Sequence, residues 1–240
     1  MTNLKFIDEE WVEKAVIGGA ILGGGGGGSI NKGRENGLLA LKFGDPVFET
    51  IDNLPEDGLL VTVSAVGAPS AKQISLNPSD FVRALDILQT RLEKNIAGTI
   101  TNEMGGLAVT NGMIQSAVLN IPMIDAACNG RAHPTGTMGS MGLTKKVDYV
   151  SRQVAVGGSR EEDMYLENFV SGSLTAASKM IREAADKAGG MVAVARNPVP
   201  AEYVKNNGAV GARSRAGEIG EAFLSGNTGE EKMRKVADEI

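Results

Sequence analysis

Apolar and polar positions fall into blocks along this chain, and each block implies an element. Trp11, Val12, Ala15, Val16 and Ala20 follow a helical period behind Asp8, a residue type that caps helices. Six glycines, 23–28, interrupt that pattern. Ser29 then caps a second helix, predicted over 30–43, with Leu38, Leu39 and Leu41 apolar. A short strand is predicted at 48–51. Residues 59–66, Leu-Leu-Val-Thr-Val-Ser-Ala-Val, read as a buried strand. Gly67-Ala68-Pro69-Ser70 ends it. Asn77-Pro78-Ser79 opens a helix whose Val82, Leu85, Leu88 and Leu92 share one face. A second strand is predicted at 97–101, a helix over 107–119 and a third, short strand at 121–125. A polar loop follows, from 126 to about 144. Residues 147–156 add one or two strands. Leu166, Phe169, Val170, Leu174, Ala177, Met180, Ile181, Ala184 and Ala188 fall at helical spacing and predict one long helix, closed by Gly189-Gly190. A strand at 191–195, a turn at Asn197-Pro198-Val199-Pro200 and two short helices, 216–224 and 230–240, complete the chain.

Strand–helix–strand–helix–strand with crossovers of this length implies neighbouring parallel strands joined by right-handed connections. The predicted fold is α/β: a mostly parallel sheet, helices on its faces, and glycine-rich loops at the strand carboxyl ends. A length of 240 residues suits one large domain, 1–240. Charge narrows the partners. With 24 Lys and Arg against 29 Asp and Glu, and only 1 Trp, 3 Tyr and 6 Phe, the chain has neither a basic footprint nor a stacking platform, so no nucleic acid is expected. One cysteine allows no internal disulfide and suits a reducing, cytoplasmic setting. Asp8, Glu9 and Glu10 stand where a signal peptide is cationic and then apolar. The apolar runs are too short to span a bilayer, so no membrane partner is expected.

Glycine changes the picture most: 32 residues, close to twice the usual ~7%, clustered in a few loops. Ligands of open parallel sheets bind outside the strand carboxyl ends. Three loops leave those ends, at 67–70, 102–106 and 125–142, and all carry glycine beside compact polar groups. Gly67, Ser70, Asn102, Gly105, Gly106, Asn129 and Gly130 are therefore candidate substrate-binding positions, because glycine lets a backbone approach a ligand and present its N–H groups. The last loop holds the single Cys and single His, in Cys128-Asn129-Gly130-Arg131-Ala132-His133-Pro134. Cys128 and His133 could pair as thiolate and base, or be a packed thiol and a loop donor. Arg131 could clamp a carboxylate or an imide oxygen, or bridge loop carbonyls. Asp125 could serve as acid, base or orienter, or cap a turn. Glu103 is a candidate general base or a solvated charge. Asp125, Glu103, Cys128 and His133 are also ligand types for a divalent metal, without a ligand-spacing signature. Gly26, Gly27 and Ser29 form a second candidate anion cradle at a helix start, or a loop permitting tight helix approach. The glycine run lacks the Lys-Ser/Thr of a phosphate-binding loop and follows a helix rather than a strand, which weakens a nucleotide-binding reading.

At Asp125-Ala126-Ala127-Cys128-Asn129-Gly130-Arg131-Ala132-His133-Pro134 the chain resembles the N-terminal domain of the S-methyl thiohydantoin desulfurase family. Further matches follow in order: Ile21-Leu22 with Gly23–Gly27, Val66-Gly67-Ala68-Pro69-Ser70, Asn102-Glu103-Met104-Gly105-Gly106, and Asn197-Pro198-Val199-Pro200-Ala201-Glu202-Tyr203-Val204. The resemblance implies a hydrolase acting on a small thiohydantoin- or hydantoin-type ring, which removes a sulfur substituent with water. Arg131 and loop N–H groups would polarise the ring, Asp125 or Glu103 would activate water, and His133 would protonate the leaving group. The resemblance implies that relatives usually continue into a β-rich C-terminal domain, which is expected to be absent from this chain of 240 residues. That leaves room for a separate chain supplying it, for a homo-oligomer, or for a non-catalytic assembly subunit of a split hydantoinase-like complex.

Overall fold

The computed structural model describes residues 5–68 and 70–240. In chain order the elements are β1 (Lys5–Phe6), α1 (Glu9–Leu22), α2 (Ile30–Phe43), β2 (Val47–Glu49), β3 (Leu59–Gly67), α3 (Pro78–Leu92), β4 (Gly98–Thr101), α4 (Met113–Leu119), β5 (Met123–Ala127), β6 (Ser151–Gly157), β7 (Leu166–Gly172), α5 (Leu174–Lys187), β8 (Met191–Pro200), α6 (Ala201–Asn207), β9 (Ala209–Val210), α7 (Ala212–Leu224) and α8 (Gly229–Glu239). The class is α/β. One sheet has the order β1-β2-β5-β4-β3-β8-β6-β7, with β9 added beside β5. The strands β2, β5, β4 and β3 run parallel. The half formed by β8, β6 and β7 is antiparallel. Among the described residues no helix is long and apolar enough to cross a membrane.

Local chemistry sets most helix starts. The Asp8 carboxylate accepts the Trp11 N–H at 2.7 Å, and the Ser29 hydroxyl accepts the Lys32 N–H at 3.3 Å. Asn77 and Asp80 close a reciprocal capping box at the start of α3. Strand alternation then sorts side chains onto two faces. Val61, Val63, Ala193 and Ala195 pack under α3 with Leu85 and Leu88. Val192 and Val194 face the other way, against Ile181, Ala184 and Ala185 of α5. Leu60, Ile100, Ile124 and Ala126 continue that second face beneath α6, with Ala201 and Val204. Met123 and Ala127 lie on the first face, against Val12, Val16 and Ala216 of α1 and α7.

Three sequence expectations are corrected. The long helix predicted over 166–188 begins only at Leu174, and its first third is β7. Leu166 packs with the α5-side cluster and Phe169 with the α3-side cluster, as two residues an odd number apart on a strand must. Ser173 caps the shortened helix by accepting the Ala176 N–H at 3.3 Å. The turn expected at 197–200 is the end of β8. Its pairing with β6 stops at Arg196, so Pro198 and Pro200 lie beyond that ladder, while Asn197 takes a left-handed φ of 54° at a register shift against β3. The helix expected over 107–119 is split into a 3-10 turn, Ala108–Thr110, and α4. Gly112 separates the two at φ 95°, where a Cβ would lie 2.7 Å from Thr99 Oγ1.

Candidate functional site

The carboxyl ends of β3 and β4 and the loop after β5 meet at one cleft, roofed by α5. Its volume is about 570 Å³. Gly67 and Ala68 come from the first loop, Asn102 and Glu103 from the second, and the segment 133–136 from the third. The facing wall holds Ser178 and Arg182 of α5, Gly190, and Arg196 of β8. The three loops expected to converge do so. Pro69, within the first of them, lies outside the described residues.

His133 is the most constrained group. Its side chain is 4% exposed. The ring Nε2 lies 3.1 Å from the Asn102 carbonyl oxygen, and the His133 backbone N–H donates to Glu103 Oε2 at 2.9 Å. Glu103 Oε2 is also 3.5 Å from Nε2. A carbonyl oxygen only accepts, so Nε2 carries the proton of the neutral ring and Nδ1 keeps its lone pair. Nδ1 is buried and has no hydrogen-bond partner among the described residues. Gly139 backs the ring: a Cβ built there would lie 2.0 Å from Nε2.

Arg196 is the group the sequence reading missed. It is 4% exposed and stands opposite Thr62 and Gln153, on the α5 side of the sheet. Its Nε has no partner among the described residues, and burial lowers its pKa from the ordinary guanidinium range. Ser64 Oγ and Gln153 Oε1, on the same face of the sheet, are also unpartnered among those residues. Ser178 and Arg182 also line the cleft, and the apolar spacing that predicts this helix carries no signal for them. A signal for Arg196 existed. It continues the alternation of Val192 and Val194, so a cation stands in phase with buried apolar positions.

The remaining candidates have other surroundings. Asp125 lies on the opposite face of the sheet from Ile124 and Ala126. Its carboxylate accepts from the backbone N–H groups of Arg213 and Ser214 at 2.9 and 3.1 Å and from the Ser214 hydroxyl at 2.5 Å, which anchors the start of α7. It does not line the cleft. Arg131 is exposed and faces the glycine turn near Gly24 rather than the cleft. Cys128 is buried, with Sγ 3.2 Å from Thr62 Oγ1, and burial pushes its thiol up to about 11. Among the described residues no hydrogen bond joins it to His133, so the thiolate–imidazole pair is not assembled. Nor do three His, Cys, Asp or Glu side chains gather as metal ligands among those residues.

The glycine run packs against backbone. Cβ atoms at Gly26 and Gly27 would lie 2.5 Å from Ala132 Cβ and 2.6 Å from Gly105 Cα, and one at Gly106 would meet Ile30 N at 2.7 Å. The Gly27 carbonyl accepts the N–H groups of Leu107 and Ala108 at 3.1 and 2.9 Å. Gly26, Gly27, Gly105 and Gly106 thus knit two corners together behind His133, and Ser29 caps α2. Ser70 and Gly130 are exposed and Asn129 is half-buried; none of the three lines the cleft.

The family model described as S-Me-THD-like, N-terminal domain, matches residues 10–167. The chain belongs to the S-Me-THD-like family. That match takes in Asn102, Glu103 and His133 and ends before α5 and Arg196, so one wall of the cleft lies outside it. No curated protein matches the chain. A crystal structure of a protein from Chromobacterium violaceum has the same fold, with a TM-score of 0.77 at 20% identity, over 96% of this chain and 65% of that one. The chain thus spans less than two thirds of that protein.

Proposed function

We propose that this S-Me-THD-like domain is hydrolytic and that its cleft takes a small planar ring of the thiohydantoin type, from which water displaces a sulfur substituent. The observation that carries the reading is the free Nδ1 of His133. The Asn102 carbonyl holds the proton on Nε2, and the Glu103 carboxylate, 3.5 Å from that nitrogen, accepts the His133 backbone N–H and fixes the residue in place. A shift of the His133 side chain on ligand binding opens the buried Nδ1 to the cleft, and water there gives up a proton as its oxygen bonds to the ring carbon bearing sulfur. The carbon–sulfur bond then breaks, and the two water protons end on the ring nitrogen and on the departing thiol. Here His133 is the base, in place of Asp125, and the cation of the cleft is Arg196, in place of Arg131.

Thiol release from an S-methyl thiohydantoin tests this. His133→Ala lowers turnover by about a hundredfold or more while the fold persists by circular dichroism. The chain has one histidine, so nitrogen NMR of its imidazole reads the tautomer directly. Turnover unchanged in His133→Ala, or a ring protonated at Nδ1, overturns the reading. A second reading, in which a further β-rich domain or chain completes the site, is favoured by the 65% coverage of the Chromobacterium violaceum protein. It predicts thiol release only after that part is added.

A further inference from the structure

Arg196 has a role that water activation by His133 does not use. A guanidinium has five N–H donors, and burying one without a partner is unfavourable unless an anion completes it. Among the described residues Arg196 makes no ion pair and no side-chain hydrogen bond, although it is buried. The nearby Glu103 carboxylate accepts from the His133 N–H, and the nearby Cys128 thiol is kept protonated by its burial.

The surroundings leave room for a ligand. Gly136 stands before the guanidinium, where a Cβ would come within 3.2 Å of Arg196 Nη1 and 3.7 Å of Ser178 Oγ. Wall space beside the cation is therefore free of a side chain. One turn along α5 from Ser178, Arg182 lines the same cleft and donates to the Pro134 carbonyl at 3.4 Å. We propose that the ligand of this cleft carries a carboxylate, gripped by Arg196 beside the Ser178 hydroxyl, with Arg182 at the mouth. Within the ring class proposed above, on which this inference rests, the site selects rings with an acidic substituent over neutral ones. A planar carboxylate matches the two-pronged guanidinium donor.

Calorimetric titration of the wild-type chain with three probes tests this: hydantoin bearing an acetate substituent, hydantoin bearing a methyl substituent, and succinate. The acetate-bearing ring binds about tenfold or more tightly than the methyl-bearing ring. Arg196→Gln abolishes that preference, so the acetate-bearing ring loses about tenfold more affinity than the methyl-bearing ring. Arg196→Met, which removes an unpaired buried charge, unfolds at a higher temperature than the ligand-free wild type, whereas loss of a purely structural arginine lowers that temperature. Equal binding of the two rings overturns the carboxylate assignment and leaves the ring reading standing. Binding of succinate with neither ring bound overturns the ring reading and leaves the carboxylate assignment standing. Binding of none of the three overturns both.

Discussion

Gly139 bears no functional group, yet the structure makes it decisive for His133. A Cβ built on it would lie 2.0 Å from Nε2 and 2.3 Å from Cε1 of the ring. Its backbone is not left-handed, so Gly139→Ala adds a contact without dihedral strain. Carbon and ring atoms settle at about 3.5–4.0 Å, so the imidazole must retreat by about 1.5 Å. That retreat breaks the 3.1 Å contact with the Asn102 carbonyl that fixes the tautomer. The lost hydrogen bond costs about 0.5–1.5 kcal/mol and the overpacking about 1–3 kcal/mol, so stability falls by about 2–4 kcal/mol. Misplacing a catalytic group by about 1 Å costs roughly a hundredfold in rate. The assay pairs thiol release with thermal unfolding and with nitrogen NMR of the single imidazole. The expected outcome is a hundredfold fall in turnover, a melting point lower by about 5–10 °C and a shifted imidazole signal. Gly217→Ala, in α7 with open space around its Cβ, is the control and is neutral or stabilising by up to about 1 kcal/mol. Full turnover and an unmoved imidazole signal in Gly139→Ala refute the assigned ring position.

Cys128→Ala keeps full turnover, because the wild-type residue is a packed thiol rather than a nucleophile. The folded pKa of about 11 lies above the ordinary 9.0, so the stability it represents is complete below about pH 9 and is lost as pH rises through about 11. The native chain therefore resists iodoacetamide at about pH 8 and reacts on unfolding; rapid alkylation of the folded chain contradicts this. Asp125→Ala removes the acceptor for two α7 N–H groups and leaves the fully buried Arg213 without its neighbouring carboxylate, at about 3–5 kcal/mol, while turnover per folded molecule is unchanged. Lost turnover at unchanged stability would return Asp125 to the chemistry. Gly220→Ala puts a Cβ 1.8 Å from the Lys14 carbonyl oxygen, where α1 and α7 meet backbone to backbone. It destabilises by about 3 kcal/mol or more in a thermal melt, and a loss below about 1 kcal/mol would contradict the close approach.

What the sequence disclosed followed the range of the forces involved. The caps at Asp8, Ser29 and Asn77 act within one helical turn, so local residue types sufficed to read them. The β3–α3–β4–α4–β5 unit was legible because a crossover of that length permits few arrangements. Asp125 was half legible. Strand alternation sets it across the sheet from Ile124 and Ala126, but only the placement of α5 decides which face carries the cleft. That placement depends on β8 adding antiparallel to β3 and β6 adding to β8, a long-range choice with no local signature. Arg196 was hidden by the same choice. The prolines of Asn197-Pro198-Val199-Pro200 suggested a turn, whereas they lie past the end of the β6 ladder, where a missing N–H breaks no β6–β8 bond. Within the loop after β5, spacing could not choose between Arg131 and His133. The selection is made by Gly26, Gly27 and Gly105, whose backbone contact holds that corner so that Ala132 meets the glycine turn and the next residue enters the cleft. The glycines act on the site through packing: they bring two loops close enough for a carbonyl of one to fix the imidazole of the other.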